Sequence, residues 1–158
     1  MSTYFKYFIF SIILQLIFSE LITINGYQAN IMILFVILSS MPIKNTSQST
    51  LNGFLIGIFT DFVLFSGVYL GTSSLVFSIC GFWASKVSHN FAFRNFDLYW
   101  IAFVHLGIAL YSMFRYDFFL FNDFFLFIKN WFFVTYFTCF VGVVFVRLLK
   151  LKEKILNA

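Results

Sequence analysis

The sequence predicts an all-α integral membrane protein, a six-helix transmembrane bundle with both termini in the cytoplasm. Composition is the first of three observations behind this. Of 158 residues, 61% are hydrophobic and only 10% are charged, whereas a soluble domain is about 45–50% apolar and about 25% charged. Ten Lys/Arg and six Asp/Glu cannot cover a water-facing surface around that much apolar mass. A soluble enzyme, a disordered tail and a nucleic-acid module are therefore excluded as readings. The second observation is a series of six apolar runs, each about 15–21 residues long, against about 20 for a perpendicular helix through the hydrocarbon core. The third is the placement of Lys and Arg. With the N-terminus inside, Lys6, Lys44, Lys86, Arg94, Arg147, Lys150, Lys152 and Lys154 fall on the cytoplasmic side, and only Arg115 and Lys129 fall outside. Inverting the chain would invert that bias, so the positive-inside rule fixes the orientation.

The whole chain, 1–158, reads as one transmembrane domain. Span one covers Tyr4–Ile24. Lys6 ahead of an apolar stretch resembles a signal peptide, but the run ends in Leu21-Ile22-Thr23-Ile24-Asn25 without a small-x-small cleavage site, and further spans follow. Span two covers Tyr27–Ile43 and closes at Pro42. Spans three (Leu51–Phe65) and four (Val68–Ala84) together would measure about 50 Å as one helix, too long for a single crossing. Ser66-Gly67 is the natural break. The two form a hairpin that either crosses fully or dips in and returns. Spans five and six cover Leu98–Phe114 and Trp131–Leu149. Between them, residues 117–129 hold apolar pieces too short to cross, interrupted by Asn122-Asp123, and read as an outer-leaflet interfacial segment or as a surface that docks a partner. Trp83 and Trp100 are expected at the cytoplasmic interface and Trp131 at the outer one. Residues 150–158 form a basic cytoplasmic tail.

No chemistry-bearing constellation interrupts these spans. Paired carboxylates at helical spacing, HExxH, G-x-S-x-G and phosphate loops are all missing from the sequence. The chain is therefore expected not to be an enzyme, and to need no metal or cofactor. Cys80 and Cys139 sit inside apolar runs and read as small buried residues. His105, within span five, is either an intramembrane functional group or a neutral ring bonded to a neighbouring helix.

Asp61 is more informative. An ionised carboxylate in hydrocarbon costs about 2.5–3.5 kcal/mol on insertion scales. It must reach the outer interface, turn inward to a partner, or be protonated. Gly53 and Gly57 lie four residues apart on one helix face, and Gly67 and Gly71 repeat that spacing at the start of span four. Such faces let a second backbone approach closely. Spans three and four are expected to pack on each other or on a neighbour, with Gly53, Gly57, Asp61, Gly67 and Gly71 as the packing and partner-binding residues.

The run Gly53-Phe54-Leu55-Ile56-Gly57-Ile58-Phe59-Thr60-Asp61, followed by Leu70-Gly71, resembles the signature segment of the bacterial rod-shape-determining MreD family. That family shows a G-x-x-x-G-hydrophobic-x-x-D run and then a Leu-Gly that opens the next helix. Gln15, Asn25-Gly26-Tyr27 at the first turn and Pro42 also match. Gln28-Ala29-Asn30 stands where a proline is usual, and Ile58 where Leu is usual. The resemblance implies a non-enzymatic scaffold of the cell-elongation machinery in the bacterial cytoplasmic membrane. Its partners would be MreC, the actin-like MreB, the glycosyltransferase RodA and a class B penicillin-binding protein. It also implies a fold like the substrate-binding subunits of energy-coupling-factor vitamin transporters, although fold alone carries no function. A second reading is such a small-molecule-binding subunit, with Asn25, Gln28, Asn30, Asp61, Arg115 and Asp117 at its outer end.

Overall fold

The computed structural model describes residues 3–20, 27–64, 70–90, 96–115 and 124–148. The described residues are all-α, with six helices: α1 (Thr3–Glu20), α2 (Ile31–Ser40), α3 (Thr46–Leu64), α4 (Thr72–Asn90), α5 (Phe96–Arg115) and α6 (Phe124–Leu148). The helix α2 is the hub. Its residues from Ile31 to Leu38 are all buried, and it packs against each of the other five helices.

This hub is shorter than span two was expected to be. Ten residues make a helix of about 15 Å, and the preceding residues 27–30 are not helical. Asn30 starts the helix because its Oδ1 accepts the Ile33 N–H at 3.1 Å, which satisfies one of the free amides of a first turn. At the far end the Met41 N–H still reaches Ile37 O at 3.1 Å. Pro42 then offers no N–H to continue.

A short buried helix leaves backbone groups to be satisfied at both ends. On the lead-in side, Gln15 of α1 accepts the Ile31 N–H at 2.7 Å and donates its amide to Ala29 O at 3.2 Å. The Asn30 N–H goes to Thr138 Oγ1 of α6 at 2.9 Å. On the exit side, Ser88 Oγ of α4 donates to Met41 O at 2.7 Å, and Ser85 Oγ donates to Ile43 O. Each buried group left unpaired costs about 1–3 kcal/mol. Gln15→Leu is therefore expected to lower stability by about 2–4 kcal/mol, read as thermal unfolding of the detergent-solubilised protein. Ile13→Leu, on the exposed side of the same helix, should stay within about 0.5 kcal/mol.

Two helices, over Asp97–Phe114 and Phe124–Arg147, are long and apolar enough to cross a membrane. Against six expected spans, the difference has a physical origin. Only ten or so residues of α1 and α2 form continuous apolar helix, and α3 and α4 are diluted by Ser, Thr, Asn and Gln.

Boundaries also differ. The helix α3 begins before Leu51 because Asn45 Oδ1 accepts the Ser47 and Gln48 amides at 3.0 and 3.4 Å. Likewise α6 begins well before Trp131, so 124–129 are its first turns rather than a separate interfacial piece. The remainder of that segment, 117–123, lies outside the described residues, as do Ser66-Gly67 and the 150–158 tail.

Trp100 is corrected outright. It is 1% exposed and belongs to the core, not to an interface. Gly142 makes the room, since a Cβ there would come within 2.7 Å of the ring. Trp83, by contrast, is about half exposed. Trp131 is half-buried, and its Nε1–H donates to His105 O at 3.1 Å. The His105 ring does not bond to a neighbouring helix through its Nδ1, which lies 3.0 Å from Ile101 O of its own helix. Because a carbonyl only accepts, that bond places a proton on Nδ1.

Candidate functional site in the α3–α4 hairpin

The most intimate contact in the molecule joins α3 to α4, and small residues make it so. The helices run antiparallel, with Ser49 opposite Gly81, Gly53 opposite Phe77, and Gly57 opposite Ser74. A Cβ on Gly53 would overlap the Phe77 carbonyl oxygen, and one on Gly57 would overlap the Ser74 backbone. On the opposing helix, a Cβ on Gly81 would lie 2.7 Å from Ser49 O. These obstacles are backbone atoms, so rotamer changes cannot relieve them. Ser49 Oγ closes the far end of the seam by donating to Gly81 O at 2.8 Å.

Asp61 closes the near end. It is only 6% exposed, and both of its oxygens face the start of α4. Oδ2 accepts the Gly71 N–H at 2.9 Å, and Oδ1 accepts the Ser73 N–H at 3.3 Å. The Gly71 carbonyl in turn accepts the Leu75 N–H at 3.0 Å and the Ser74 hydroxyl at 2.8 Å. Gly71 is thus the residue from which α4 starts. Its φ of +98° is a conformation that residues with a Cβ rarely adopt. A helix N-terminus presents unpaired amides and partial positive charge, both of which favour a carboxylate. Here the carboxylate arrives from the preceding helix, ten residues back in the chain.

Of the residues singled out from the sequence, Gly53, Gly57, Asp61 and Gly71 therefore meet in one structural unit. Gly67 lies outside the described residues. The two alternatives for the glycine faces resolve towards α4: Gly53 and Gly57 are covered by it. Beyond Leu51 and Phe54, which line a groove beside α4, the outward side of α3 leaves Leu55, Phe59 and Phe62 exposed. Asp61 turns inward, and what it meets among the described residues is the backbone of Gly71 and Ser73.

Sequence reasoning missed how the polar side chains around α2 are used. Gln15, Thr138, Ser85 and Ser88 each satisfy a backbone group of α2 or its flanks. Their signal was a hydrogen-bonding residue inside an apolar run, without an indication of which chain it would reach. Among the described residues no group of three or more His, Cys, Asp or Glu is placed to hold a metal ion, and both cysteines are free. No family model, no curated protein and no solved structure matches the chain.

Proposed function

We propose that this chain is a non-enzymatic membrane scaffold of the MreD type. On this reading it binds an MreC-like partner and, with MreB, RodA and a class B penicillin-binding protein, helps to direct lateral peptidoglycan synthesis and cell shape. The carrying observation is that Gly53, Gly57, Asp61 and Gly71, which carry the sequence resemblance, act together as one device. The glycines bring two backbones into contact, and the carboxylate caps the second helix. A run of residues explained only by drift would have no reason to converge there.

The bilayer as solvent is supported by what the bundle leaves outside. Phe62, Phe125 and Phe140 are 72%, 78% and 69% exposed, and similar apolar side chains line the outer faces of α1, α3, α5 and α6. Soluble monomers rarely expose apolar patches beyond a few hundred Å², whereas lipid accommodates them. In this setting the non-helical lead-in to α2 is tolerated because protein groups satisfy it. The six crossings, the inward termini and the location in the bacterial cytoplasmic membrane belong to the same proposal.

The transporter reading loses two of the groups it would use. Asn30 caps α2 and Asp61 caps α4, so neither points into a site for a small molecule. The deciding experiment is co-expression with an MreC-like single-span protein from the same genome. Recovery of that protein with the tagged chain is expected, and Leu55→Asn with Phe62→Ser should reduce it several-fold without altering the melting temperature. Failure to recover the partner, together with a vitamin retained in stoichiometric amount, would reverse the assignment.

A further inference from the structure

We infer that the cytoplasmic mouth of the α3–α4 hairpin holds one anionic phospholipid, its phosphate between Lys44 and Lys86 and an acyl chain in the groove alongside. The inference rests on the bilayer placement proposed above, but not on the identity of any protein partner.

Three observations carry it. An open groove of about 470 Å³ runs between the two helices on their outward side, lined by Thr46, Ser47, Thr50, Leu51, Phe54, Ser78 and Phe82. Leu51, Phe54 and Phe82 supply its apolar surface, while Thr46, Ser47 and Thr50 at the start of α3 and Ser78 of α4 supply hydroxyls. Next, the Lys86 ammonium stands 5.3 Å from the centre of the Phe82 ring. That cation–π contact fixes a positive charge at the rim. Lastly, Ser85 Oγ donates to Ile43 O, which brings together two points of the chain that are each followed directly by a lysine. Lys44 and Lys86, both exposed, therefore flank the same end of the groove.

Two cations above a slot walled by Leu51, Phe54 and Phe82 match a ligand with an anionic head and a hydrocarbon tail. Basic pockets between membrane helices on the cytoplasmic side recognise such lipids, each Lys near the surface being worth about a fivefold change in affinity. A free phosphate would use the lysines and leave the groove idle. A neutral lipid would fill the groove and ignore the lysines.

The test is native mass spectrometry of the full chain in detergent, titrated with phosphatidylglycerol or phosphatidylcholine. The wild type should retain phosphatidylglycerol at least about tenfold better. Lys44→Gln with Lys86→Gln should abolish the preference, whereas Lys129→Gln, whose lysine does not flank the groove, should preserve it. Equal retention of the two lipids would overturn the proposal, as would an undiminished preference in the double variant. Displacement by millimolar inorganic phosphate would also overturn it, in favour of a free-phosphate site. Release of the chain from membranes by alkaline carbonate would defeat the bilayer placement itself. Loss of MreC recovery alone would defeat only the scaffold reading.

Discussion

Gly57→Leu should cost about 3 kcal/mol or more. Overpacking a filled interior costs about 1–3 kcal/mol when neighbours can shift. Here the obstacle is the Ser74 backbone, so α3 and α4 must separate along their length, and the Ser49–Gly81 and Asp61–Gly71 bonds loosen with them. Gly57→Ala already carries the offending carbon and should behave in the same direction. Gly71→Ala provides the contrast. Its nearest obstacle would be Ser74 Oγ at 3.8 Å, so its cost is the left-handed backbone alone, about 1–2 kcal/mol. Thermal unfolding in one detergent should rank the three in that order. A Gly57→Leu protein that melts with the wild type would show that the two helices are not in backbone contact.

Asp61→Ala comes next, at about 2–4 kcal/mol. Loss of a cap costs about 0.5–2 kcal/mol, and here two amides, the part-buried one of Gly71 and the buried one of Ser73, lose their acceptor at once. Asp61→Asn keeps one acceptor oxygen and should lose about half as much. Hydrogen exchange would localise the effect. The amides of Gly71 and Ser73 should lose protection first, while α5 and α6 keep theirs. Uniform loss across the bundle would mean that Asp61 supports something other than the start of α4.

Much of this was legible in the sequence. Six helices follow from six apolar runs, and the small-residue faces follow from Gly53 and Gly57 at helical spacing. The closeness of Asp61 to the turn was visible too. What it would meet there was not, because a carboxylate near a helix end looks the same whether it snorkels, pairs with a cation or caps the next helix. Trp100 shows a second limit. An aromatic ring at the end of an apolar run suits an interface and suits a core, and only the gap over Gly142 on the following helix decides between them. The shortness of α2 had a readable sign, since Asn30 is a strong helix starter. It was masked by apolar residues on both sides, which extend a hydropathy run whether or not the backbone is helical.

The bond between the Asn30 amide and Thr138 spans 108 residues of chain, and the Gln15 bonds join the same lead-in to the first helix. Helices α1 and α6 thus fasten one short stretch that lies between them in the chain. During synthesis that stretch must wait, with an amide unclaimed, until α6 leaves the ribosome. Nascent chains truncated ahead of Thr138 should therefore depend on an insertase or chaperone and be cleared by membrane proteases, whereas chains that include α6 should escape both.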